Sequence, residues 1–177
     1  IIPKDRKSPY EVRKIIQMVL DKESFFEIGA GYGKSLVTGL ASLDGHPVGI
    51  LANDCAYDGG AVTAKASEKM TRFVVMCATF NVPIINFVDN PGFLIGLQAE
   101  ESGVIRYGVR ALFSVFQATI PWISIITRRV VGVAGAGHAH TDGLNLRYAW
   151  PSGDWGSLPI EGGVMAAYKR DIQASPD

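Results

Sequence analysis

What most restricts this chain is a recurring order: a short apolar run, a turn containing glycine, then a helical pattern. Residues 83–88 and 122–127 are too short for a buried helix and lack the alternation that leaves one face in water. Both therefore read as strands covered on two sides. The first leads through a turn at 89–96, containing Gly92 and Gly96, into a helical pattern over about 98–118. The second leads into the glycine-rich turn 132–137, a short helical or irregular stretch, a strand at 145–150 and a final helix near 161–172. Upstream, Gly59 and Gly60 precede a helix over 61–80 whose residues Ala66, Met70, Phe73, Val74 and Cys77 keep helical spacing. Units of this kind join by right-handed crossovers and pair in parallel, which predicts an α/β fold of repeated β-turn-α units around a largely parallel sheet. All 177 residues are expected to form one domain, and the 47% that are hydrophobic supply a buried core.

The start of the chain departs from that order. Residues 3–10 read as an extended linker. Ser8 and Pro9 then predict the N-cap and first turn of a helix running to about Lys22 along Val12, Ile15, Ile16, Val19 and Leu20. Beta-type runs at 35–42 and 48–52 flank Asp44-Gly45, the dipeptide of a tight turn, and should pair as an antiparallel hairpin.

Composition removes several functions. Seventeen basic residues balance 17 acidic ones with no Lys/Arg block along one face, so no nucleic-acid partner is expected. The longest apolar stretches, near 82–88 and 120–126, fall far short of the roughly 20 residues that cross a bilayer, so no membrane role is expected. Cys55 and Cys77 have neither C-x-x-C spacing nor companion histidines, which argues against a zinc site and a disulfide framework and fits a reducing compartment. With Ile at position 1 and neither a signal-peptide core nor an Arg/Ser-rich leader, the chain reads as an excised or processed piece.

Twenty glycines, many of them clustered, mark where chemistry can sit. In Val88-Asp89-Asn90-Pro91-Gly92-Phe93-Leu94-Ile95-Gly96, the turn aims the N–H groups of the following helix at the strand's carboxyl end. That arrangement suits an anionic or carbonyl oxygen, or is simply a well-made strand-to-helix turn. In Val131-Gly132-Val133-Ala134-Gly135-Ala136-Gly137-His138, small side chains leave backbone N–H groups open to a ligand oxygen, as in an oxyanion hole. The same composition also serves close packing of helix on sheet. Other signals are weaker. Gly29-Ala30-Gly31-Tyr32-Gly33-Lys34-Ser35 lacks the preceding strand and following helix of a phosphate loop. His46, His138 and His140 form no metal set, and His138 reads as a hydrogen-bonded loop residue rather than a base. Arg128 and Arg129 suit either a ligand anion or an ion pair, and Asp89 suits a capping role.

Four segments carry more than geometry: Asn86-Phe87-Val88-Asp89-Asn90-Pro91-Gly92-Phe93, Gly108-Val109-Arg110-Ala111-Leu112-Phe113, Ile125-Ile126-Thr127-Arg128-Arg129 and Leu144-Asn145-Leu146-Arg147-Tyr148-Ala149-Trp150-Pro151. In this order and spacing they resemble the carboxyltransferase subunits of biotin-dependent acyl-CoA carboxylases, the propionyl-CoA carboxylase β type in particular. Tyr10-Glu11-Val12-Arg13-Lys14-Ile15-Ile16 and Ser24-Phe25-Phe26-Glu27 resemble the start of that family's C-terminal domain, so the resemblance covers nearly the whole chain.

The resemblance implies a crotonase-like (ClpP/crotonase) fold and transfer of carboxylate between carboxybiotin and the α-carbon of an acyl-CoA substrate. It implies biotin on a separate carrier protein or domain, and no metal. It places the backbone amides of Val133 and Ala134 in an oxyanion hole for the biotin ureido oxygen, with Gly132 and Gly135 beside them and the turn of Gly92 and Phe93 bordering the same pocket. The family usually reads Gly-Gly-Ala-Tyr-Asp where this chain has Gly132-Val133-Ala134-Gly135-Ala136, which points to altered acyl selectivity with Ala136 as the specificity residue. Implied partners are a biotin carboxylase, a biotin carrier subunit, the family's N-terminal carboxyltransferase half and further copies in a homo-oligomer. The implied compartment is the cytoplasm, or the mitochondrial matrix in a eukaryote. Without the N-terminal half, the 177 residues are expected to be inactive or impaired. Two alternatives stand beside this reading: a biotin-dependent acyl-CoA decarboxylase subunit, and a non-catalytic assembly module.

Overall fold

The computed structural model describes residues 1–138, 143–158, 163 and 167–174. Six strands lie side by side in sequence order: β1 (Phe26–Ile28), β2 (Leu36–Leu43), β3 (His46–Asn53), β4 (Ile84–Asn90), β5 (Trp122–Val131) and β6 (Asn145–Ala149). A seventh, β7 (Asp154–Gly156), pairs with the far end of β5. Strand alternation decides which face each side chain serves. In β2 and β3, Leu36 and Leu51 point to one face while Val37, Ile50 and Ala52 point to the other. Helices α2 (Ala64–Thr79) and α4 (Val104–Gln117) cover the first face, where Met70, Phe73, Val74, Ala111 and Val115 pack with Leu36, Leu51, Ile84 and Trp122. Helix α1 (Val12–Val19) covers the second, burying Val12, Ile15 and Ile16, spaced i, i+3, i+4, with Ile50, Ile85 and Phe87.

The expected parallel pairing holds from β3 through β6, whereas β1, β2 and β3 pair antiparallel, so the sheet is mixed. The predicted hairpin is a two-residue turn. Asp44 and Gly45 both have positive φ, at 50° and 78°, as a type I′ turn requires. That geometry pairs Leu43 with His46, so β2 is shifted by one residue from the expected 35–42 and β3 is longer than the expected 48–52 at both ends. The Asp21 carboxylate accepts both turn N–H groups.

Four local expectations are corrected. Helix α1 begins at Val12 rather than behind Ser8 and ends at Val19. The Ser8 hydroxyl donates to Asp5, the Ser8 carbonyl accepts from Arg128, and the Tyr10 N–H donates to Cys55 Sγ, so tertiary partners keep this stretch out of the helix. The helix expected over 98–118 is split into α3 (Leu97–Glu101) and α4, because Gly103 adopts a left-handed φ of +74° between them. The glycine-rich segment after β5 is not a turn but a single helical turn, α5 (Gly132–Ala136). Strands β1 and β7 were not foreseen. The last helix, α6, is Lys169–Ala174, and its expected start near 161 lies outside the described residues. Among the described residues no helix is long and apolar enough to cross a membrane.

Candidate functional site

Parallel neighbours β4 and β5 bring their carboxyl ends to the same edge, where β4 closes on Asn90 and β5 on Val131. Asn90 is fully buried and joins the two exits. Its Oδ1 accepts the Gly92 N–H at 2.9 Å, and its Nδ2 donates to the Ala134 carbonyl at 3.2 Å and contacts His138 Nε2 at 2.8 Å. Asn86, also fully buried and four residues earlier on the same strand face, reaches His138 Nδ1 at 2.8 Å. The Ser124 hydroxyl of β5 donates to the His138 carbonyl. His138 therefore pins the end of α5 to two central strands, its ring to β4 and its carbonyl to β5.

The tautomer follows from the partners. A neutral imidazole has one donor and one acceptor nitrogen. Asn90 is fixed by the Gly92 N–H and the Ala134 carbonyl, so its amide nitrogen faces Nε2, and Nε2 accepts. Nδ1 then carries the proton and needs an acceptor; the Asn86 atom placed 2.8 Å away is Nδ2, while its buried Oδ1 has no partner, so turning the amide over satisfies both groups. Burial, with the charge of Arg147 adding to it, lowers the His138 pKa from 6.5 to about 4, which keeps the ring neutral.

The glycines of α5 divide the work that sequence left open. Gly132 has φ +63°, which lets the chain leave β5 and enter the helix at once. At Gly135 an added Cβ would stand 2.7 Å from Val130 Cγ1, and at Gly137 2.6 Å from Leu112 Cδ2, so both permit close packing. In a helix that starts at Gly132, the N–H groups of Val133 and Ala134 belong to the first turn and have no i−4 carbonyl within it. The Val133 side chain is 69% exposed, whereas Ala134 is buried in the core. Beside them runs an open groove of about 610 Å³ lined by Gly132, Gly135, Val130, Arg147, Tyr148 and Trp155.

The other predicted site residues fall as follows. Gly92 is one residue link from α5, through Asn90. The Phe93 ring packs on α4, where a Cβ at Gly108 would meet it at 2.5 Å, so the ring serves the core and only its backbone borders the turn. The Ala136 side chain and His140 lie outside the described residues, and His46 is exposed at the hairpin. Asp89 caps nothing. Fully buried, it accepts from Arg128 Nε and Nη2 at 3.0 and 2.9 Å and from Arg129 Nε at 2.7 Å. Of the two roles open to the arginines, the ion pair is the one observed. Arg128 also lies over the Tyr10 ring, 4.9 Å from its centre. Sequence reading missed the Asn86–His138–Asn90 clamp, although two asparagines four apart on one face of a buried strand were a visible signal.

A mixed sheet whose parallel strands exit into glycine-bearing turns, with first-turn amides beside an open groove, defines an α/β protein of the crotonase-like type. Residues 1–177 match the carboxyl transferase domain family throughout, and the chain belongs to that family. A propionyl-CoA carboxylase carboxyltransferase subunit from Haloferax mediterranei is 37% identical, with 100% of this chain and 34% of that protein covered. The methylmalonyl-CoA carboxyltransferase 12S subunit of Propionibacterium freudenreichii subsp. shermanii is 36% identical, with the same shares covered. The crystal structure of transcarboxylase 12S, a hexamer assembly with methylmalonyl-coenzyme A and methylmalonic acid bound, has a TM-score of 0.91 at 36% identity. It covers 98% of this chain and 34% of that one. The chain spans about a third of the length of these relatives.

Proposed function

We propose that this chain is the C-terminal domain of a biotin-dependent acyl-CoA carboxyltransferase and that α5 receives the biotin side of the reaction. The observation that carries the reading is the pair of first-turn amides at Val133 and Ala134, held beside a groove by a chain of carboxyltransferase ancestry. The groove, at about 610 Å³, is within the roughly 300–1,000 Å³ range of small-ligand sites, and Tyr148 and Trp155 offer it exposed aromatic surface, so the residues fit a bicyclic urea. Biotin, when bound, supplies the carboxyl group that is exchanged with the acyl-CoA α-carbon.

The chain's own residues have three tasks. The Val133 and Ala134 N–H groups donate to an oxygen that gains negative charge, and because they are fixed beforehand they need no reorganisation during the reaction. Gly132 keeps the approach clear of a side chain. Asn90 and His138 hold α5 in register, and His138, neutral and bonded on both sides, acts as a positioning residue rather than a base. Acyl-CoA, the N-terminal half, the biotin carrier, the biotin carboxylase and further copies of the subunit are the partners this reading requires. The cytoplasm or the mitochondrial matrix is its compartment.

The test is carboxyl exchange between malonyl- or methylmalonyl-CoA and free biotin, run with and without an N-terminal partner. Activity should require the partner. Val133→Pro deletes one donor at a helix position where proline fits, and should slow exchange about 100-fold or more. Val133→Ala keeps the amide and should leave the rate nearly unchanged. An undiminished rate in Val133→Pro would refute the assignment.

A further inference from the structure

At the β1 edge of the sheet, away from β5 and α5, a pocket of about 260 Å³ opens between β1, the loop after it and α2. Ile28, Phe73 and Met76 form its apolar wall, Tyr32 and Arg72 also line it, and Lys69 reaches it from within the fold, only 6% exposed. Lys69 sits on the buried face of α2 because it is spaced with Ala66, Met70 and Phe73. Its Nζ donates to one acceptor, the Leu36 carbonyl at 2.7 Å, although an ammonium group has three N–H donors.

The nearby acids are already engaged. Glu27 accepts from Arg13 Nε and Nη2 at 2.8 and 2.7 Å, and Asp54 from Arg13 Nη1 at 2.6 Å. The Tyr32 hydroxyl and Arg72 both donate to Glu68. Among the described residues Lys69 has no ion-pair partner. Burial therefore lowers its pKa, with the more distant charge of Glu27 opposing. Gly29, at φ +67°, turns the chain beside the lysine stem, where an added Cβ would stand in ordinary contact 3.4 Å from Lys69 Cε.

A buried cation with unfilled donors is costly unless an anion meets it, and the wall beside it rewards hydrocarbon. The space is smaller than the roughly 300 Å³ lower bound of drug-sized pockets, so the hydrocarbon must be short. We propose that this pocket binds a small monocarboxylate, its carboxylate on Lys69 Nζ and its chain along Ile28, Phe73 and Met76. The site is separate from the α5 groove and does not depend on the carboxyltransferase reading. An acidic side chain of a protein partner shares the head group, but its backbone would have to stop at the rim. The depth of Lys69 favours a free acid.

Calorimetric titration of the intact protein with hexanoate tests this, with hexanamide as the neutral counterpart. Hexanoate should bind with a dissociation constant of about 1 mM or tighter, within reach of a ligand of this size. Hexanamide should bind at least about tenfold more weakly, as should hexanoate to Lys69→Met, while Lys69→Arg retains binding. Absence of saturable hexanoate binding, equal affinity for the amide, or unchanged affinity in Lys69→Met would each overturn the proposal. So would binding of an acidic peptide in place of hexanoate. If Lys69→Met does not fold, Met76→Trp fills the pocket with the amine in place and should abolish binding. Hexanoate bound as tightly to that variant would overturn the proposal as well.

Discussion

Replacing His138 by glutamine should flatten the pH dependence of stability between neutrality and about pH 4. The imidazole is 2% exposed, and burial with the nearby Arg147 charge lowers its pKa from 6.5 to about 4. The sign follows from which state binds the proton. Below 6.5 the unfolded chain protonates this histidine while the folded protein does not, so stability present above 6.5 drains away as pH falls and levels off near 4. A depression of that size corresponds to about 3 kcal/mol, a large share of the 5–15 kcal/mol that typically holds a domain together. Urea unfolding of both proteins, in steps from about pH 7.5 to about pH 4, isolates the effect, because the carboxylates they share cancel in the difference. Glutamine loses part of the Asn86 and Asn90 bonding and starts less stable, but the gap should narrow by about 3 kcal/mol as the pH falls. Parallel curves would show that the folded protein titrates this imidazole normally, and the clamp as drawn would be wrong.

Two further perturbations have definite outcomes. Asp89→Asn leaves Arg128, with 4% of its side chain exposed, without its carboxylate, and should cost about 3–5 kcal/mol in urea unfolding at neutral pH; a loss under about 1 kcal/mol would mean that the ion pair is replaceable. Gly108→Ala drives a methyl into the Phe93 ring at 2.5 Å and should cost about 1–3 kcal/mol, most of it recovered by adding Phe93→Leu. Additivity in that double-mutant cycle would remove the contact.

What could be read from the sequence was what local chemistry decides. The hairpin at Asp44-Gly45 and the apolar stripe of α1 depend on a few neighbouring residues, and both were visible. Ser8 was misread because its hydroxyl turns back to Asp5 while distant partners hold the backbone extended, Arg128 at the Ser8 carbonyl and Cys55 at the Tyr10 N–H. Strands β1 and β7 have three residues each and exist only through the ladders that β2 and β5 offer them.

The site shows the same division at finer grain. Glycine spacing located α5, but not whether the segment was turn or helix. That choice rests on Asn90 bonding the Ala134 carbonyl and on His138 closing against Asn86, contacts spanning 44 and 52 residues. A helix is what makes the proposed chemistry economical in side chains. A loop of the same composition would leave each N–H free to turn, whereas the first turn of a helix aligns consecutive N–H groups and leaves them unpaired by rule. The buried asparagines and the depressed histidine are therefore part of the same device as the glycines. On the proposed reading they are the cost, in polar groups taken from water, of holding the Val133 and Ala134 donors still.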